Sequence, residues 1–98
     1  MSALGQINDK LGVYLTTLTQ ADSFPYDTSG EHIIYISITN DGSAQAEFTL
    51  TYRNTDKGTG TILVPVGKDF SAVVNEFTSI DVDAGDGYKI ALYGRGVV

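Results

Sequence analysis

The 98-residue chain has no cysteine, no tryptophan and a single histidine. Without cysteine it has no disulfide framework, no thiolate nucleophile and no cysteine-ligated zinc or iron–sulfur site. Any histidine metal cluster or Ser-His-Asp triad would have to include His32, and no nucleophile-elbow glycine pattern surrounds any serine. We therefore interpret His32 as a residue at the start of a strand. The sequence predicts no catalytic residue, no cofactor and no enzymatic activity.

Basic residues are also few: six Lys and Arg stand against twelve Asp and Glu, and the net charge is −6. The six are scattered along the chain rather than clustered. Binding to nucleic acid depends on clustered Lys and Arg that release counterions, and an anionic membrane surface makes the same demand. Partners of both kinds are disfavoured.

Long apolar runs are missing as well, and no segment has the length needed to cross a bilayer. Residues 1–20 lack a basic region followed by an uninterrupted apolar stretch, which a secretory signal peptide requires. We expect a protein synthesised in the cytoplasm without a signal peptide.

Short alternating segments dominate what is present. In residues 45–53 the apolar side chains of Ala46, Phe48, Leu50 and Tyr52 alternate with polar ones, as in a strand with one buried face. Similar segments follow to the end of the chain, separated by Gly, Asp and Asn turns, and no helix suited to a βαβ crossover interrupts them. The pattern predicts one all-β domain, an antiparallel sandwich of Ig-like or jelly-roll type with six to seven strands over residues 21–98. The core should comprise Ile34, Ile36, Ile38, Phe48, Leu50, Tyr52, Ile62, Val64, Ile80, Val82, Ile90 and Leu92.

Residues 1–20 form an N-terminal arm with two interpretations. Leu4, Ile7 and Leu11 begin a three- and four-residue spacing typical of a helical face. Gly5, Gly12 and several threonines oppose a helix, and the segment from Leu11 to Leu18 suits a strand. We expect a short helix or irregular arm followed by a strand.

Two turns are marked by composition. Residues 20–30, which include Pro25, are rich in turn formers and predict a loop. Asp41-Gly42 lies between two apolar runs, and this pair tolerates the positive φ of a hairpin turn. The sequence predicts that residues 32–39 pair with residues 45–53, and that the strand at 32–39 is central.

Asp81, Asp83 and Asp86 form the motif that most resembles a metal site. Carboxylates beside glycines can surround a calcium ion, but the spacing of an EF-hand would require oxygen ligands where Gly85 and Leu92 stand. A turn with solvated acids is the favoured interpretation, and the prediction is no metal site.

Tyrosines are the second group with functional potential, because a ring can stack on a sugar while its hydroxyl forms a hydrogen bond. Tyr52 and Tyr88 lie on the apolar registers of their strands and are assigned to the core. Tyr26, Tyr35 and Tyr93 remain as candidate ligand-binding residues on the surface.

The leading functional hypothesis is a non-enzymatic structural or interaction protein that decorates a larger assembly, most concretely a phage virion accessory protein of capsid or tail. In its overall character the chain is similar to small phage-encoded β-sandwich proteins, although it has no diagnostic motif that would assign it to a family. The protein partner, another copy or a larger assembly, would contact the apolar ends of the chain, and the final location would be the virion surface. The predicted partner-binding residues are Leu4, Ile7, Leu11, Val97 and Val98. The alternative is a carbohydrate-binding or adhesin-like module that binds a glycan through the three surface tyrosines.

Overall fold

The computed structural model describes residues 13–94, which form two antiparallel four-stranded sheets and contain no α-helix. This confirms the all-β, sandwich-like architecture. The strands are β1 (Val13–Thr19), β2 (Tyr26–Asp27), β3 (Ile33–Asn40), β4 (Ala46–Tyr52), β5 (Thr59–Val64), β6 (Asp69–Val73), β7 (Phe77–Ala84) and β8 (Tyr88–Gly94). A 3-10 helix, Thr55–Lys57, connects β4 to β5. Seven of the eight strands lie within residues 21–98, where six to seven were predicted, and the loop assigned to residues 20–30 contains one of them, the two-residue strand β2.

The first sheet has the strand order β1-β8-β3-β6, and the second has β2-β7-β4-β5. β1 lies close to the strand predicted between Leu11 and Leu18. The strand predicted at residues 32–39 corresponds to β3, an inner strand of the first sheet, which agrees with its prediction as central. No helix of the described residues could cross a membrane.

The predicted hairpin between β3 and β4 is wrong. β3 pairs with β6 and β8, whereas β4 pairs with β5 and β7, so the Asp41-Gly42 segment crosses from one sheet to the other. The reason lies in Asn40, which is fully buried. Its side-chain amide donates to the carbonyls of Ala44 and Val64, each at 2.9 Å, and its carbonyl accepts from the amide of Gly42 at 2.9 Å. These bonds hold the crossing loop in place of a hairpin turn.

The core lies between the sheets and consists of inward-facing side chains from both. Nine of the twelve predicted core residues are buried, and Tyr52 and Val82 are half-buried against them. The assignment of Ile34 to the core is wrong, because a register shift in β3 between Ile33 and Tyr35 moves it out of the inward alternation. The buried cluster is Leu18, Ile33, Ile36, Ile38, Ala46, Phe48, Leu50, Ile62, Val64, Phe77, Ile80, Tyr88, Ile90 and Leu92.

The loop after β3 and the turn before β8 pack tightly at one end of the sandwich. Gly87 has a positive φ of 62°, and a Cβ placed on it would lie 2.6 Å from the Cα of Gly42. The carboxylate of Asp86 accepts from the backbone amide of Ser43 at 2.8 Å and from its hydroxyl at 2.9 Å. These two bonds, the backbone bond first, lower the pKa of Asp86 from its ordinary value.

Asp86→Asn should therefore remove a pH-dependent part of the stability. A carboxyl whose pKa is lowered on folding stabilises the protein above its unfolded pKa, about 3.9, and this contribution is lost as the pH falls through the folded pKa. We expect the variant to melt below the wild type at pH 6, with the difference vanishing near pH 2. Melting temperatures of the wild type and the variant, measured from pH 2 to pH 6, test this expectation. Ser43→Ala removes only the hydroxyl bond to Asp86, so its pH-dependent loss of stability should be intermediate. If the melting temperature of Asp86→Asn fell with decreasing pH as steeply as that of the wild type, the stabilising role given to the Asp86 carboxylate would be contradicted.

Candidate binding face

A row of aromatic side chains crosses the outer face of the first sheet. In the strand register Tyr14 of β1 is opposite Tyr93 of β8, which is opposite Tyr35 of β3, and Tyr35 is opposite Val73 of β6. Because directly opposite residues of antiparallel strands project to the same side, these four side chains form one line across all four strands. Tyr14 and Val73, at its two ends, are 55% and 70% exposed.

The three rings of this row contact each other edge to face. The centroids of Tyr14 and Tyr93 are 5.8 Å apart, and those of Tyr93 and Tyr35 are 5.5 Å apart. Such a pair contributes about 0.5–1.5 kcal/mol beyond burial of area. The hydroxyl of Tyr14 also shares a hydrogen bond of 2.9 Å with that of Thr17. The contacts fix the rings on the surface before any partner binds.

Small and hydroxyl-bearing residues fill the rest of this surface. The next register row contains Ser37 and Ser71, whose hydroxyls are hydrogen-bonded at 2.9 Å. The third row holds the two charged residues of the face, Lys89 and Asp69. We call the whole surface the tyrosine face; its residues are Tyr14, Thr17, Thr19, Tyr35, Ser37, Thr39, Asp69, Ser71, Val73, Lys89, Ala91 and Tyr93.

The outer face of the second sheet differs in charge. Glu47 and Thr49 of β4 alternate with inward residues, as the sequence predicted, and Asp81 lies opposite Thr49. The hydroxyl of Thr49 donates to the carboxylate of Asp83 at 2.5 Å. Asp27, whose pKa is lowered by hydrogen bonds from the side chain and backbone of Ser29, lies on the same sheet. Four acids therefore lie on the second sheet's outer strands and face, whereas the first sheet's outer face has one acid, Asp69, and three tyrosines.

Two of the three tyrosines proposed from the sequence, Tyr35 and Tyr93, come together in this row. Tyr26 does not: it lies on β2 of the second sheet, half-buried against the core, beside a cavity of about 170 Å³. Sequence reasoning missed Tyr14, because a register shift between Tyr14 and Thr16 interrupts the alternation of β1. The available signal was a run of three large apolar residues, from Val13 to Leu15. Successive side chains of a strand point to opposite faces, and an edge strand of a sandwich buries only one face, so part of such a run has to be exposed.

The three acids considered for a metal are each engaged elsewhere. Asp81 accepts from the backbone amide of Val82 at 2.9 Å, while Asp83 and Asp86 accept from Thr49 and Ser43 as described. Within residues 13–94 no three His, Asp or Glu side chains are arranged to hold a metal ion.

The end of the sandwich opposite the Asp86 turn carries a polar cluster. Nδ1 of His32 lies 2.9 Å from the carboxylate of Glu76. The guanidinium of Arg53, expected on the solvated face of its strand, instead donates to the backbone carbonyls of Ser29 at 3.2 Å and Glu31 at 2.6 Å. An open groove of about 570 Å³ lies beside Arg53 and Glu76 and reaches Val73. The hydrogen bonds of Arg53 connect the loop after β2 to the end of β4 in the second sheet.

The predicted partner-binding residues Leu4, Ile7, Leu11, Val97 and Val98 lie outside the described residues. The described chain begins at Val13 and ends at Gly94, and these two residues are opposite each other in the register, next to Tyr14 and Tyr93. Both ends of the described chain therefore meet beside the tyrosine row.

Comparison with protein-family models, with curated proteins and with solved structures finds no match to this chain.

Proposed function

We propose that this protein is a non-enzymatic structural protein that decorates a larger assembly and attaches to a protein surface through the tyrosine face. Its most concrete form is a phage virion accessory protein of capsid or tail, made in the cytoplasm and carried on the virion surface. The observation that supports this is the contrast between the two outer faces: one bears three packed tyrosines with two charges at its margin, and the other bears Asp27, Glu47, Asp81 and Asp83.

The composition of the tyrosine face suits a protein partner. The buried centres of protein interfaces are depleted in charge and enriched in aromatic residues. Tyrosine supplies a large contact area at a small cost in conformational entropy, and serine supplies adaptable hydrogen bonds. The face combines both, with rings already held by Tyr93 at the centre of the row.

The strand order bears on the type of sandwich. Eight strands lie in two four-stranded sheets, and most connections cross between the sheets. We propose that this is the jelly-roll type rather than the seven-stranded Ig-like type. Jelly rolls occur in viral capsid and lectin domains, so the fold is compatible with both functional hypotheses and decides neither by itself.

Binding of a glycan is the second candidate, because Tyr35 and Tyr93 are adjacent and the hydroxyls of Ser37 and Ser71 lie in the next row. Its weakness is that the rings pack edge to face against each other, at 68° and 75°, instead of lying flat as one platform for sugars. A protein partner, which can follow an uneven surface, fits this geometry better.

A matched pair of lysine substitutions tests the attachment. Val73 is 70% exposed on the tyrosine face, and Leu63 is 53% exposed on the second sheet, so neither change removes a buried side chain. The probe is a preparation of phage particles that lack this chain, mixed with purified wild type, Val73→Lys or Leu63→Lys. We expect Val73→Lys to weaken cosedimentation at least tenfold and Leu63→Lys to change it less than twofold, because a charge at the interface must be desolvated.

Failure of the wild type to bind particles, or equal loss in both variants, would contradict attachment through this face. Binding on a glycan array that Val73→Lys weakens, without binding to particles, would favour the carbohydrate hypothesis instead.

A further inference from the structure

Basic residues that are scattered in the sequence come together at one groove of the structure. The open groove of about 570 Å³ beside Arg53 is also lined by Lys57, and these are two of the four Lys and Arg residues that the structure describes. Most of the lining comes from residues 53–57, around the 3-10 helix, and from residues 73–76, at the end of β6. The backbone amide of Arg53 donates to the backbone carbonyl of Glu76 at 2.9 Å and joins these two segments. The groove is therefore formed before any ligand binds.

Arg53 is held by neutral groups and forms no ion pair within residues 13–94. Its Nη2 donates to the backbone carbonyls of Ser29 and Glu31. Its Nε is buried without a hydrogen-bond partner among these residues, and its Nη1 forms no hydrogen bond with them. Lys57, which is exposed, likewise forms no ion pair in the described part of the chain. A carboxylate that enters the groove would therefore meet two cations that no salt bridge already occupies.

The described lining of the groove includes one acid, Glu76. Both oxygens of its carboxylate lie within 3.3 Å of Nδ1 of His32. Two positive charges, on Arg53 and Lys57, and the one negative charge of Glu76 leave the lining at +1, whereas the whole chain has a net charge of −6. The groove is thus a cationic place on an acidic protein, and its charge favours an anionic group as ligand.

Apolar side chains lie beside these charges. Ile34, Val73 and Val74 line the same groove, and Val73 is 70% exposed. Val73 is also the last residue of the tyrosine row, so the groove is continuous with the tyrosine face. A partner that covers the tyrosine face can therefore extend into the groove. Cations next to aliphatic side chains suit a ligand that has a carboxylate beside an apolar group.

We propose that the groove binds an acidic side chain of the protein partner, in a segment that has an apolar residue next to it. The carboxylate accepts from Nη1 of Arg53 and from the ammonium of Lys57, and the apolar residue packs on Val73 and Val74. This inference rests on the proposed function, because it specifies the chemistry of the partner that the tyrosine face contacts. A nucleic acid is a poor match, since it needs more than two cations and is repelled by a net charge of −6.

An NMR titration of the full-length chain tests the chemistry of the ligand. The probe is a capped tripeptide with glutamate between two leucines. We expect it to shift the backbone amides of Asn54, Lys57 and Asn75, which lie in the two lining segments. The same peptide with glutamine in place of glutamate, and inorganic phosphate, should each bind at least about fivefold more weakly. The first lacks the charge, and the second lacks the apolar part.

A matched pair of charge reversals locates the binding. Lys57→Glu changes the groove, whereas Lys68→Glu makes the same change in net charge in the turn before β6, at the other end of that strand from Val73. Both lysines are exposed, and neither forms an ion pair within the described residues. We expect Lys57→Glu to weaken binding of the glutamate peptide about tenfold, and binding to phage particles that lack this chain about fivefold. Lys68→Glu should change either by less than about twofold.

Four outcomes would overturn the inference: no binding of the glutamate peptide, equal binding of the glutamate and glutamine peptides, phosphate binding as tight as that of the glutamate peptide, or equal losses in the two lysine variants. If Lys57→Glu binds particles like the wild type while Val73→Lys does not, the inference fails and the proposed function stands. If the wild type does not bind particles but the peptide results hold, the proposed function fails and the preference of the groove for acidic segments stands.

Discussion

Asn40→Asp is expected to cost about 4 kcal/mol of unfolding free energy at pH 7, a large part of the 5–15 kcal/mol typical of such a domain. The two side chains have nearly the same shape, so packing is kept. The amide of Asn40 donates to the carbonyls of Ala44 and Val64, and it is fully buried. A carboxylate there would lose both hydrogen bonds and place a buried negative charge against two carbonyl oxygens.

The loss of unfolding free energy in Asn40→Asp should depend on pH. Burial and the two carbonyl oxygens disfavour the charged form, so the pKa of a carboxyl at position 40 is raised on folding. A raised carboxyl pKa means that the destabilisation is smallest below the unfolded pKa, about 3.9, and grows as the pH rises above it. Urea unfolding of Asn40→Asp and wild type, compared at pH 3.5 and pH 7, measures this difference.

Asn54→Asp is the matched control. The side chain of Asn54 accepts from the amide of Asp56 at 3.0 Å and is exposed, so a carboxylate keeps its role at the start of the 3-10 helix. We expect a change below about 0.5 kcal/mol. Similar losses in both variants, or a loss in Asn40→Asp that does not vary with pH, would contradict the role given to Asn40.

Under the proposed function, Tyr93→Ala is expected to weaken attachment to phage particles about 100-fold, which corresponds to about 2.7 kcal/mol. Tyr93 is the central ring of the row and contacts both Tyr14 and Tyr35. Its removal takes away one contact surface and also frees the two neighbouring rings. Cosedimentation with particles that lack the chain measures binding, and thermal unfolding measures the accompanying loss of stability, about 1–2 kcal/mol.

Two further variants separate the possible causes. Tyr93→Phe retains the ring and both edge-to-face contacts, so it should bind within about threefold of the wild type. Leu63→Ala removes an exposed apolar side chain from the second sheet and should not affect binding. If Tyr93→Phe loses as much affinity as Tyr93→Ala, the hydroxyl and not the ring carries recognition, which would contradict the role given to the packed rings. Binding of Tyr93→Ala that equals that of the wild type would contradict attachment through the tyrosine face.

The alternation in residues 45–53 shows how far the sequence reaches. Phe48 and Leu50 are buried and Glu47 and Thr49 face outward, as a period of two requires. The same rule identified most of the core. It failed at Ile34, because one extra residue at a register shift reverses which side chains point inward, and apolar isoleucines on both sides of the shift conceal it.

The candidate site could be predicted only in part. Tyr35 and Tyr93 were identifiable as outward residues of their own strands, but nothing in either segment indicates that they are neighbours. Tyr14 and Tyr93 come from opposite ends of the described chain and meet because β1 pairs with β8. The local turn signal at Asp41-Gly42 even suggested the wrong partner for β3, since a turn sequence does not record the bonds that Asn40 makes to distant carbonyls.

The sequence by itself determined that this protein is built from strands with one inward and one outward face, because side-chain alternation is a local property of each segment. Only the tertiary structure decided which strands are neighbours, because backbone hydrogen bonds between strands are the same for any pair and leave no mark on the sequence. The tyrosine face belongs to the second category. It exists because three strands distant in sequence bring one tyrosine each into the same register.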